Sequence, residues 1–203
     1  MFPDPDLHHP LLPDIQERIL LFHNLLHEKH MSALSILYLV LPFPLAFLLH
    51  DMEEMIVQHK WMTTHATSLF HRFPRLRSLL KHLLLMDTKS FAIAVAEEFI
   101  VIAGITAYVC MQGPYALFLW TALFMAFSLH LLIHFIQAIL IRGYIPGLVS
   151  CFLLLPYVVY GVWSISLVLN VGTLLLLSIV GLLVVMAHLW FSHWLGLRLT
   201  GKK

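Results

Sequence analysis

Charge is scarce in this sequence. Of its 203 residues, 11% are Asp, Glu, Lys or Arg, while 60% are hydrophobic. A soluble globular domain carries about 25% charged and about 45–50% apolar residues. The shortage excludes an ordinary water-soluble domain and points to an integral membrane protein with little chain outside the bilayer. A mean hydropathy of +0.87 says the same. Cysteine is scarce too. Cys110 and Cys151 both fall in apolar segments, which excludes a disulfide framework, a CxxC site and an iron–sulfur ligand set. No glycine-rich flavin or dinucleotide motif is present, so no organic cofactor is evident. The first residues, M-F-P-D-P-D-L-H-H-P, lack a basic region and an apolar core, and are not expected to act as a signal peptide. A net charge of +1 argues neither way on nucleic acid, and no nucleic-acid partner is expected. One residue type is plentiful: 14 histidines outnumber the 12 lysines and arginines.

The fold class expected is all-α, a polytopic transmembrane helix bundle. A crossing helix needs about 20 mostly apolar residues. Five segments qualify, at 33–58, 90–111, 115–140, 146–169 and 172–191. Breaker sequences separate the later ones: Q-G-P at 112–114, R-G-Y-I-P-G at 142–147 and N-V-G at 170–172. The shortness of the last link suggests that the final two spans pair tightly. Pro42 and Pro44 are expected to kink the first span. Ten basic residues fall on one side: Lys60, Arg72, Arg75, Arg77, Lys81, Lys89, Arg142, Arg198, Lys202 and Lys203. Only Arg18 and Lys29 fall on the other. The positive-inside rule then places the N-terminus outside and the C-terminus in the cytoplasm.

This reading divides the chain into a non-cytoplasmic amphipathic segment at 1–31, a single bundle at 32–198 and a cytoplasmic tail at 199–203. Within 14–30, Ile15, Ile19, Phe22 and Leu26 line one helical face, as in a helix lying on the membrane surface. The loop at 59–89, basic and broken at Pro74, reads as a second interfacial stretch. Histidines 8, 9, 23, 27 and 30 lie on the outer side, as solvated polar positions.

The ionisable residues inside the spans carry the functional signal. Charge in hydrocarbon costs several kcal/mol, and by default it marks a functional site. His50, Glu53 and Glu54 stand at i, i+3 and i+4, on one helical face. Asp51 is turned about 100° away and is left out. His130 and His134 stand at i and i+4, able to present two imidazoles to one ion; Gln137 continues their face as an outer hydrogen-bond donor. Glu97 and Glu98 are adjacent in the second span, and His188 lies near the end of the fifth, where an interfacial histidine beside Trp190 and Trp194 is the plainer reading. Adjacent spans run antiparallel, so three helices bring these groups to one level, about 6–17 Å inside their cytoplasmic ends.

Carboxylates packed together in a low dielectric repel one another, and a divalent cation relieves that repulsion. The ligand set expected is His50, Glu54, Glu97, Glu98, His130 and His134. Glu53, Glu54 and Glu98 are the candidate catalytic carboxylates, and Gln137 and His188 are outer support. Imidazole with carboxylate suits zinc, iron or manganese. Two His and one Glu with an open position make a catalytic zinc shell. The larger set would fill a two-metal site inside a helix bundle, and the number of ligands slightly favours two ions.

The motif H-D-M-E-E at 50–54 resembles the signature of the HXXEE membrane proteins. That family carries two further motifs, Asn-x-x-x-Glu and His-x-x-x-His. H-L-L-I-H at 130–134 matches the last. Glu97 and Glu98 stand where the middle motif ends, but Ile93 and Ala94 occupy the positions of its Asn. The resemblance covers about residues 40–190. It implies a membrane enzyme and gives no reaction or substrate.

The favoured reading is a metal-dependent, hydrolase-type enzyme acting on a lipid or other amphiphile from the cytoplasmic leaflet, with the bilayer as its surroundings. A di-iron or di-manganese oxidoreductase with a separate electron donor is the second reading. A non-enzymatic metal or proton carrier is the third.

Overall fold

The computed structural model describes residues 36–202. The amphipathic segment at 14–30, the five N-terminal histidines and the beginning of the first expected span lie outside the described residues. Among the described residues every regular element is helical and there is no strand. A wide helical turn, Ile36–Val40, is followed by α1 (Phe43–Arg72), a short 3₁₀ turn (Pro74–Leu76), α2 (Arg77–Leu85), α3 (Thr88–Cys110), α4 (Ala116–Ile141), α5 (Leu148–Ser166) and α6 (Val171–Leu199).

Helix ends follow from local chemistry. Pro42 and Pro44 do not kink a continuous helix: α1 begins at Phe43, with Pro44 in its first turn, where the missing N–H costs nothing. The helix does not stop at 58 with the apolar run. It meets no breaker until Pro74, whose ring disfavours helical geometry at Phe73, and so it continues to Arg72. The Asp87 carboxylate caps α3 by accepting from the Ser90 amide at 2.9 Å and the Ser90 hydroxyl at 2.8 Å, and it pairs with Lys202. Asn170 caps α6 through the Thr173 amide at 2.9 Å. Gly147, with φ at +85°, turns the chain into α5.

The helices close into a ring. α1 packs on α3, α3 on α6, α6 on α4, α4 on α5 and α5 back on α1. The expected tight pairing of the last two spans is not found. α6 leaves α5 and lies against α4, because Gly181 lets the two backbones meet; a Cβ there would come within 2.1 Å of the Ala122 carbonyl. Inside the ring an aromatic layer joins α1, α4 and α5. Phe43 packs edge-on against Phe127 at 5.4 Å, Trp120 stacks on Phe124 at 4.8 Å, and the Tyr157 hydroxyl donates to the Leu39 carbonyl at 2.6 Å.

Four helices, α3 to α6, are long and apolar enough to cross a membrane. Their outer surfaces are apolar: Ile100, Ile139 and Leu183 are each about two-thirds or more exposed. Water would oppose such a surface and hydrocarbon would accept it. Exposed aromatics flank the bundle at both ends, with Tyr108, Tyr115, Tyr160 and Trp163 at one and Tyr144, Trp190 and Trp194 at the other, the arrangement of interfacial belts.

Candidate metal centre

Three elements meet around one point. His50 and Glu54 lie one turn apart on α1, so both face inward. His130 and His134 lie one turn apart on α4. The Nε2 of His130 is 3.0 Å from that of His50 and 3.1 Å from that of His134, and His134 Nε2 is 3.0 Å from Glu54 Oε1. One donor atom from each residue falls within 4.8 Å of the others. His50 is wholly buried and His134 nearly so. The Phe127 ring closes one side, 6.0 Å from His50.

The third element is the start of α5. Gly147 is buried against the group, and a Cβ on it would lie 2.8 Å from His50 Cε1, 3.0 Å from His134 Cε1 and 3.1 Å from Glu54 Oε1. Ser150 Oγ is 3.0 Å from His50 Nδ1, and Cys151 Sγ is 3.9 Å from the same nitrogen. The loop before α5 is held against α1. Trp61 Nε1 donates to the Tyr144 carbonyl at 3.1 Å, and Arg72 donates to the Ile141 carbonyl at 3.2 Å.

Neutral imidazoles 3 Å apart cannot all satisfy one another. His130 Nε2 stands about 3 Å from two other imidazole nitrogens, and it holds only one lone pair or one proton, so it cannot pair well with both. A cation among them removes the conflict. A tetrahedral ion with bonds of about 2.0–2.1 Å sets its ligand atoms about 3.3 Å apart, near the separations of 3.0, 3.1 and 3.0 Å along His50, His130, His134 and Glu54, and all four donor atoms lie within 4.8 Å of one another. The donor set therefore fits a divalent ion, and His50, Glu54, His130 and His134 could hold one.

The remaining acidic residues named from the sequence are placed elsewhere. Glu53 turns toward α5. Its Oε2 accepts from the Ser150 amide at 2.7 Å, and its Oε1 accepts from the Val149 amide at 3.2 Å and the Tyr144 hydroxyl at 2.8 Å. Burial, then the bond to Glu53, push the Tyr144 hydroxyl well above its ordinary range, so it stays a donor. Glu97 and Glu98 do not join the four-residue group. Glu97 faces α6, accepting from the Ser192 hydroxyl at 2.6 Å, with His188 Nε2 at 3.2 Å but not aligned as a hydrogen bond. Glu98 interacts electrostatically with Glu54 and Asp51. Gln137 is exposed and makes no hydrogen bond to the four residues. Its expected supporting place is taken by Ser150.

Three residues at or beside the centre carry little signal in the sequence. Gly147 is visible there only as a turn, Ser150 only as one small polar residue in an apolar run, and Asp51 stands at an angle on the helix that turns it from His50. Asp51 is nonetheless buried, within electrostatic reach of Glu54 and Glu98. A separate histidine contact lies nearer the end of the bundle. His82 of α2 sits 3.2 Å from His193 Nδ1 and stacks on Trp190 at 4.9 Å, and burial lowers its pKa.

No curated protein and no solved structure matches the chain. One family does, over residues 41–161, described as proteins of unknown function with an HXXEE motif. The match spans more than half the chain and takes in all four residues of the centre, and the chain belongs to the HXXEE family.

Proposed function

We propose that the protein is a membrane-embedded, metal-dependent hydrolase acting on an amphiphile. The observation that carries this reading is the convergence of three imidazoles and one carboxylate, from two helices, at a buried point among helices fit to cross a bilayer. His50, His130 and His134 would hold the ion. A divalent metal there would bring the pKa of a bound water toward neutrality and polarise an ester or amide carbonyl. Glu54, the carboxylate of the group, would serve as the base that takes a proton from water. Phe127 and Phe43 give the buried side an apolar wall, suited to a chain rather than a sugar.

The first half of α1 serves as a fifth span in this reading. Leu45, Leu49, Met52 and Ile56 form an exposed apolar stripe at helical spacing, and polar residues take over from His59. The basic residues gather at the end where α1 and α4 finish and α3 starts: Arg72 reaches the end of α4, and Lys202 reaches Asp87. This supports a cytoplasmic placement for that end and an outside N-terminus. A groove of about 320 Å³ there is lined by Arg75, Leu76, Ser78, Leu79, His82 and Trp190, where Arg75 would offer a charge to an anionic head group. α2, with no buried residue, then lies along the interface.

A second reading draws on the fourth donor. If Glu54 is itself a ligand, a tetrahedral zinc shell is full, and open positions exist only on a metal of higher coordination number, such as iron or manganese. That version is a lipid oxidoreductase with a separate electron donor. Elemental analysis of the purified protein beside Glu54→Gln and His134→Ala separates the two. Zinc retained in Glu54→Gln but lost in His134→Ala supports the hydrolase. Iron or manganese lost in both supports the oxidoreductase. A wild type that takes up no metal, even when supplied, removes both and leaves a proton carrier or an ion-pair network.

A further inference from the structure

We infer that the two adjacent glutamates of H-D-M-E-E have different tasks: Glu54 serves the imidazole group, while Glu53 is a positioning residue that fixes His50 through α5. The inference rests on the metal reading of the group and deepens it. Glu53 and Glu54 are about 100° apart on the helix, so one residue faces the centre while its neighbour faces the helix beside it. Three donors occupy the Glu53 carboxylate: the amides of Val149 and Ser150 and the Tyr144 hydroxyl. The two amides belong to the first turn of α5, whose N–H groups have no partner within the helix. Gly147 precedes this helix and offers no side-chain cap. A carboxylate from α1 supplies what the local sequence omits, and its charge suits the positive end of the helix.

That cap sets the height of Ser150 beside His50. The Ser150 hydroxyl donates to the Gly147 carbonyl at 2.9 Å, because a carbonyl can only accept. Its oxygen is then left to accept from His50 Nδ1, 3.0 Å away. Cys151 agrees independently. Its thiol donates to the Leu131 carbonyl at 3.8 Å, leaving sulfur as an acceptor 3.9 Å from the same Nδ1. Both neighbours of Nδ1 have committed their own hydrogens to carbonyls. His50 therefore carries its proton on Nδ1 and presents the Nε2 lone pair to His130. A metal-binding histidine needs this tautomer, and the outer hydrogen bond enforces it.

The test uses the full chain in detergent with zinc as the probe. Zinc affinity is measured by chelator competition in the wild type, Glu53→Gln, Ser150→Ala, Ser150→Thr and His134→Ala. The histidine tautomers of the metal-free proteins are read from nitrogen chemical shifts. In Glu53→Gln the side-chain amide would place an N–H₂ where an acceptor is needed. Glu53→Gln and Ser150→Ala are expected to bind zinc about 10- to 100-fold more weakly, with helix content unchanged and the Nδ1–H form of His50 lost. Ser150→Thr, which keeps the hydroxyl, is expected to restore both. Wild-type affinity and tautomer in Glu53→Gln and Ser150→Ala, alongside loss of zinc in His134→Ala, would overturn the division while sparing the metal reading. If the wild type binds no metal, the metal reading falls. The tautomers then decide alone: an Nδ1–H His50 that changes in Ser150→Ala upholds the positioning, and an unchanged one rejects it.

Discussion

Replacing Gly147 by alanine puts one methyl group against three of the four residues of the centre. Two costs arise, and they act on different quantities. The left-handed backbone at Gly147, φ +85°, is strained for any residue with a Cβ, by about 1–2 kcal/mol, and this strain lowers stability whether or not metal is bound. The methyl would also sit 2.8 Å from His50 Cε1, where ordinary contact begins at 3.4 Å. The His50 ring must retreat about 0.6 Å, and it is wholly buried, with Phe127 at its side. Crowding of this kind costs about 1–3 kcal/mol in a packed interior. If the cost falls on the liganded geometry, zinc binds about 5- to 150-fold more weakly, at 1.4 kcal/mol per tenfold. Chelator competition measures the affinity, and circular dichroism confirms that the helices remain. Gly143→Ala is the control: nothing lies within 4 Å of its would-be Cβ and its φ is unremarkable. Equal zinc affinity in Gly147→Ala, Gly143→Ala and the wild type would refute the placement of Gly147 beside the centre.

Other substitutions read other parts of the structure. His130→Ala and His134→Ala should each lose bound metal by mass spectrometry of the elements, while His193→Ala, whose imidazole contacts His82, keeps it; normal metal in the first two would remove the site. Gly181→Val should lower the thermal midpoint in detergent, since its side chain would collide with the Ala122 carbonyl, at a cost of about 1–3 kcal/mol or more; an unchanged midpoint would mean that α4 and α6 do not meet there. Asp87 gives a pH signature. Hydrogen bonds from Lys202 and Ser90 hold its carboxyl well below the ordinary value of 3.8. A depressed carboxyl stabilises the fold above its unfolded value, and the contribution is lost as pH falls through the folded one. Asp87→Asn should therefore destabilise at pH 7 and flatten the loss of stability below about pH 4; parallel pH curves for both proteins would contradict this.

The cores of the four helices long and apolar enough to cross a membrane are legible in the sequence because hydropathy is a local property, and each of 90–111, 115–140, 146–169 and 172–191 holds a run of hydrocarbon side chains. His50, Glu54, His130 and His134 are legible for a different reason. Spacing of four puts each pair on one face, and antiparallel topology puts both pairs at one depth. Which helix neighbours which is not legible. Glu97 is expected on the same ion as His134, but its helix borders α6, so it meets Ser192 and His188 instead. Hydropathy carries no information on the order of helices around a ring. The roles of Glu53 and Ser150 depend on that order too, since a carboxylate caps a foreign helix only if that helix starts beside it. The length of α1 is hidden as well, because the end of an apolar run is not the end of a helix. α1 ends at the breaker Pro74, and polarity alone does not stop it.

α1 is a rod in contact with both the centre and the end of α4 nearest to it. From His50 to Arg72 it runs 22 residues, about 33 Å at 1.5 Å per residue. Along that length it touches the stretch from the end of α4 to the first turn of α5 at three heights: through Glu53 to Val149 and Ser150, through Trp61 to Tyr144, and through Arg72 to Ile141. Three supports fix a rod's angle as well as its position. A tilt of about 3° pivoting on His50 would carry Arg72 through about 1.7 Å over that length, enough to part its bond to Ile141. Anything that grips the polar C-terminal half of α1 therefore holds a lever arm whose fulcrum is the cluster of His50, Glu54, His130 and His134.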